Sequence, residues 1–178
     1  MQLAFFRLLL LLAAALAASG TQAAVISYQA TQINGTTWRN DYTVLNDGPT
    51  SSRIRLFDIL FDPALYKEVS LTIVSAPAIA SDWDEMILAS GVGVPAAYDV
   101  LAKGGGIGGG ESVSGFAVRF VWLGTGTPAS PRFEIYDPIT FGLISSGTTA
   151  PVPAPVALSL LATGLVAVGL RAGRRKSV

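Results

Sequence analysis

The sequence predicts an all-β fold, a single antiparallel β-sandwich of Ig-like or jelly-roll-like type, and three observations lead there. Between Val25 and Gly147, short runs of β-branched and aromatic residues alternate with Gly-, Pro-, Asn- and Asp-rich turns at roughly 8 to 15 residue spacing. No part of that stretch sustains a helical hydrophobic period. In Ser112 to Leu123, Phe116, Val118, Phe120 and Trp122 share one face while Arg119 takes the other, which is the period-2 pattern of a half-buried strand.

The elements follow in chain order. Val25 to Ile33 and Thr37 to Leu45 form the first two strands, joined by the hairpin signal Asn34-Gly35, two residues that tolerate positive φ. With Thr36 these residues also spell an Asn-x-Thr sequon, which the turn alone explains. In the second strand Trp38, Tyr42 and Val44 fall on one face, and Asn46-Asp47-Gly48-Pro49 makes the next turn. Arg53 to Phe61 is a third strand, solvated on one face at its start and covered on both faces at its end, closed by Asp62-Pro63. Asp58 is its anomaly: either a ligand or catalytic carboxylate, or an aspartate near a sheet edge that accepts hydrogen bonds or faces Arg55. Glu68 to Val74, Tyr98 to Lys103, Ser112 to Leu123, Arg132 to Tyr136 and Ile139 to Ile144 complete the strands.

The two ends of the chain have a different character. Arg7 precedes the apolar run Leu8 to Ala18, with Thr21 and Ala23 three and one residues before a scission between Ala23 and Ala24; this is the order of a secretory signal helix. At the other end the tetrad Val152, Pro153, Ala154, Pro155 precedes an apolar run from Val156 to Leu170. The basic cluster Arg171, Arg174, Arg175 and Lys176 then closes the chain. Paired prolines fix φ and withhold amide donors, so the tetrad stays extended and open to a reading enzyme. The apolar run favours hydrocarbon, and the cations favour an anionic cytoplasmic surface and oppose translocation. The expected organisation is therefore a signal segment at 1–23, a β domain at 24–150, and a sorting segment with a membrane helix at 151–178.

Charge and composition exclude several function classes. Arg7 and the four tail cations account for five of the 12 basic residues, leaving 7 against 12 acidic residues between Ala24 and Ala150. That acidic body, at about minus five, argues against nucleic acid as a partner, because phosphate binding needs surplus cations. Cysteine and histidine are both absent. Without them there is no disulfide framework, no Ser-His or Cys-His pair, and no imidazole or thiolate zinc site.

Three local patterns invite chemistry and are better read otherwise. Gly104, Gly106 and Gly109 match the GxGxxG spacing, but a strand follows where a pyrophosphate needs a helix N-terminus, so a flexible loop is expected and no cofactor is implied. Asp82, Asp84 and Glu85 flank Trp83 in an expected loop and are weak metal candidates. With Asp99 they could offer calcium some of its six to eight oxygens, but EF-hand spacing is missing and an acidic surface loop over a packed Trp83 fits better. Asp58, Asp82, Asp84, Glu85 and Glu111 are the acids a glycosidase would draw on, and nothing in the sequence sets two across a cleft; a non-catalytic protein is expected.

The tripartite C-terminus resembles the PEP-CTERM sorting signal of bacterial exosortase substrates, in its Val-Pro-x-Pro variant, with Ala154 where the usual glutamate stands. The resemblance implies an exosortase-like membrane protease as partner, with scission at or near Val152 to Pro155. It implies transient residence in the inner membrane of a Gram-negative bacterium, then the cell surface or the extracellular polysaccharide matrix of a biofilm. The body is also similar to simple β-sandwich domains that precede such signals, through Asp41 to Asn46, Phe57 to Phe61, Gly115-Phe116 and Pro131 to Asp137. This second likeness implies architecture without activity. Two other readings stay open: a plain C-terminal anchor, and a carbohydrate-binding or calcium-dependent adhesion module.

Overall fold

The computed structural model describes residues 24–49 and 53–152, and these fold as antiparallel sheets with almost no helix. The first sheet is built on β1 (Ala24–Asn34) and β2 (Thr37–Asn46). Their two-residue loop needs positive φ only at Gly35, at +44°, and not at Asn34. β2 pairs next with β9 (Ser112–Val121), which carries the short β5 (Thr72–Ile73) on its far side; β12 (Ala150–Pro151) adds to the free edge of β1. That last pair is parallel, the one exception among the described strands to the antiparallel arrangement.

The second sheet runs β11 (Leu143–Thr148), β10 (Arg132–Tyr136), β4 (Leu56–Phe61), β7 (Ala96–Ala102), β6 (Trp83–Leu88). A separate two-stranded ladder joins β3 (Arg53–Ile54) to β8 (Ile107–Gly108). The two large sheets meet through one core. Phe57 of β4 stands edge-on to Phe116 of β9 at 5.3 Å between ring centres, and Tyr42 of β2 stacks near Tyr98 of β7 at 6.5 Å. The parity expected of β9 holds, since Phe116, Val118, Phe120 and Trp122 are all buried while Arg119 is exposed.

Several expectations need correction. The third strand divides at Arg55, with Arg53–Ile54 pairing β8 and Leu56–Phe61 entering the second sheet. Glu68–Ser70 is a 3₁₀ turn, and only Thr72–Ile73 of that segment is strand. Trp83–Leu88 is a strand rather than a loop, entered from the short helix α1 (Pro77–Asp82), whose proline occupies the first turn where a missing N–H costs nothing. The last hairpin is shifted. Asp137 Oδ1 accepts the amides of Ile139 and Thr140 at 2.9 and 2.8 Å, making Pro138 to Gly142 a turn, so β11 starts at Leu143 instead of Ile139.

The glycine-rich segment is pinned, not loose. Arg53 donates to the carbonyls of Gly105 and Gly106, Asn46 Nδ2 donates to the Ile107 carbonyl at 2.9 Å, and Glu111 accepts the Gly108 amide at 2.8 Å. Gly106 is obligatory there, because it holds φ +66° and a Cβ would sit 2.2 Å from the Ile54 carbonyl oxygen.

Among the described residues no helix is long and apolar enough to cross a membrane. The signal segment through Ala23, the residues Pro153, Ala154 and Pro155, the apolar run and Arg171, Arg174, Arg175 and Lys176 lie outside the described residues.

Candidate functional site

Strand register, which pairs residues distant in sequence, assembles a row of acids on the outer face of the second sheet. Glu134 of β10 lies opposite Asp58 of β4, and Asp58 lies opposite Asp99 of β7. Ser146 extends the row at one end and Met86 at the other. Alternation puts Phe57, Ile59, Tyr98, Val100, Phe133 and Ile135 on the opposite, buried face, so the acids face outward because their neighbours fill the core.

Neighbouring rows frame these carboxylates. On one side Tyr136, Leu56 and Leu101 run across the same three strands, and on the other Arg132, Leu60 and Ala97. Glu134 accepts a hydrogen bond from Tyr136 and lies 3.8 Å from the Arg132 guanidinium. Beyond Leu60 and Arg132 the sheet end opens into a cleft of about 480 Å³, walled also by Asp62, Tyr66, Val94 and Pro131.

The electrostatics of the row centre on Asp58. Partial burial first, then a hydrogen bond with Asp99 and the charges of Asp99 and Glu134, push its carboxyl up to about 7. Burial also raises Asp99, opposed by the bond to Asp58. Two carboxyls that close hold one proton between them near neutrality. Asp58 Oδ1 is buried without a hydrogen-bond partner. The row can therefore take up a proton. Among the described residues no three His, Cys, Asp or Glu groups come together so as to hold a metal ion.

Asp58 is thus neither at an edge nor facing Arg55; it sits on the central strand of the sheet beside two other acids. The acids considered from sequence are dispersed. Asp82 is exposed at the end of α1; Asp84, exposed on the outer face, pairs with Lys103 at 3.3 Å. Glu85 takes the inner face, where it accepts from Ser75 and from the buried Tyr98 hydroxyl. Adjacent residues in a strand point to opposite faces, so Asp84 and Glu85 cannot share one ion, while Glu111 is occupied by the Gly108 amide. Asp99 and Glu134 were missed as partners of Asp58 because cross-strand register is not visible in one sequence; the only available signal was that all three acids lie inside expected strands.

Of the sorting residues, Val152 is described: it is half-exposed, and its amide donates to the Tyr28 carbonyl at 2.8 Å. Ala24 begins β1 opposite Asn46.

No family model matches the chain, and no curated protein matches it. Among solved structures it is similar to a GH20 exo-β-N-acetylglucosaminidase from Vibrio harveyi, at TM-score 0.39 and 7% identity over 73% of this chain and 18% of that one. It is also similar to a type I cohesin–dockerin complex from Clostridium thermocellum, at TM-score 0.34 and 11% identity over 72% of this chain and 99% of that one. The chain spans under a fifth of the enzyme's length, and likenesses this distant assign it neither ligand nor partner.

Proposed function

We propose that this chain is an exported, non-catalytic β-sandwich protein, of Ig-like or jelly-roll-like kind, made as a precursor with an N-terminal signal helix and a C-terminal membrane helix. An exosortase-like protease of the inner membrane recognises Val152 to Pro155, and the processed protein passes to the cell surface or polysaccharide matrix. One observation carries the reading: the order of proline tetrad, apolar run and basic cluster at the C-terminus. Fifteen residues at about 1.5 Å rise reach only about 22 Å against a hydrocarbon core of roughly 30 Å, so on this reading either Pro155, Ala154 or the stem of Arg171 extends the span or the bilayer thins. Replacing Pro153 and Pro155 together with Ala should leave unprocessed precursor in the membrane fraction of an exosortase-positive host. Normal processing of that variant would count against the motif.

A second reading, a carbohydrate-binding module, is favoured by the row of Asp58, Asp99 and Glu134 beside Tyr136 and Arg132. Carboxylates next to an aromatic ring and a cation suit sugar hydroxyls. Titration with acidic and neutral polysaccharides, wild type against Glu134→Gln, tests it: equal binding by both proteins removes the face from consideration.

A further inference from the structure

We infer that the end of the first sheet carries a binding cleft for an uncharged pyranose unit of a glycan, built around Trp38 and Trp122. Register brings the two indoles together. Trp38 of β2 lies opposite Phe120 of β9, so Trp122, two residues on, is its diagonal neighbour on the same face. Gln32 of β1 lies opposite Trp38 and extends the row. Toward the middle of the sandwich this face is closed, with Asn40 and Tyr42 buried, but at the end Trp38 is only half-buried. There a cleft of about 360 Å³ opens between the β1–β2 turn and the loop after β9, lined also by Thr36, Gly124 and Thr127. That volume lies within the range of about 300–1,000 Å³ typical of small-ligand sites.

The chemistry of the walls selects the occupant. Trp122 is 5% exposed, and its Nε1–H is buried with no hydrogen-bond partner. A buried donor left unpaired is costly, and this one stands at the cleft wall. Gly124 lies against it: a Cβ there would sit 2.6 Å from Cζ2 and 3.0 Å from Nε1, so any other residue would crowd the indole. The Gln32 carboxamide donates from Nε2 to the Gly35 carbonyl at 2.6 Å, and among the described residues its oxygen and the Thr36 and Thr127 hydroxyls have no partner. These groups between them donate and accept, as sugar hydroxyls do, while indole faces take the apolar C–H face of a pyranose. A proline-rich peptide also packs on tryptophan, but its carbonyls would leave the acceptors of Gln32 and the threonines unused. No charged residue lines the cleft among the described residues, and the acidic body repels polyanions, so the sugar is neutral. The site is separate from the acid row and rests neither on that row nor on the sorting reading.

Calorimetric titration of the full-length protein in lipid nanodiscs with dextran, mannan and a soluble β-1,4-glucan tests the cleft, with empty nanodiscs as the blank. At least one of these neutral glycans should bind saturably, and alginate, a polyanion, should bind at least about tenfold more weakly. Trp38→Ala should weaken binding at least about tenfold, and Trp38→Phe, which keeps a ring, should restore most of it. Gln32→Ala should weaken it about tenfold, the worth of one hydrogen bond. Gln32 is exposed and its truncation spares the fold, so this variant decides the matter even where Trp38→Ala misfolds. Arg119→Ala, on the opposite face of β9, should change nothing. The inference is overturned by no binding of any of the three glycans, by binding indifferent to both Trp38→Ala and Gln32→Ala, or by preferential binding of a synthetic peptide of repeated Val-Pro-Ala-Pro. Loss of binding in Glu134→Gln with none in Gln32→Ala would move the ligand to the acid row and overturn this site while supporting that one. None of these outcomes touches the sorting reading, whose test is processing in cells.

Discussion

Replacing Asp58 with Asn should make the protein more stable at alkaline pH and leave it nearly unchanged in acid. Asp58 is held at about 7, against 3.8 for an ordinary aspartate, by burial, by the bond to Asp99 and by neighbouring charge. The folded state therefore binds this proton more tightly than the unfolded chain does. The resulting stability is fully present below about pH 4 and is lost as pH rises through about 7. A displacement of that size has a ceiling of about 4 kcal/mol. The carboxyl is partly open to water and shares its proton with Asp99, and screening reduces the working figure to about 1–2 kcal/mol. Asn keeps a donor toward Asp99 and cannot ionise. Urea unfolding of a chain spanning residues 24–152 at pH 4 and pH 8 is the assay. The wild type should lose about 1–2 kcal/mol more than Asp58→Asn between the two. Parallel losses in both proteins would refute the coupled-carboxyl account.

Other perturbations address the scaffold. Phe120→Ala, at a fully buried ring packed on Phe61 and Tyr66, should cost about 3–5 kcal/mol in the same assay. Arg119→Ala should stay within about 0.5 kcal/mol, since Arg119 is exposed and lies opposite Arg39. Gly106→Ala should cost at least about 2 kcal/mol through both its positive φ and its approach to Ile54, whereas Gly35→Ala, with φ +44° and open space around it, should cost about 1 kcal/mol. Arg53→Ala should raise hydrogen exchange across Gly104 to Gly110 by removing two of the bonds that pin the segment.

What could be read from sequence was whatever depends on one strand at a time. The parity of Phe116, Val118, Phe120 and Trp122 is a local property and reappears as the buried face of β9. Trp83–Leu88 escaped notice because its acids look like a loop. On an edge strand Asp84 can face water while Glu85 is satisfied by Ser75 and Tyr98, and neither need disturb the ladder. The division of the third strand at Arg55 and the pinning of the glycines by Arg53 and Asn46 arise from long-range pairing, which periodicity does not encode. The same limit hid the acid row, whose members occupy three separate strands.

The central claim concerns the ends of the chain, and intact-mass analysis of the surface-exposed protein from an exosortase-positive host tests it most directly. The account predicts an N-terminus near Ala24 and no peptide from Val156 to Val178. Recovery at the surface of protein retaining Arg171 to Val178 would contradict it.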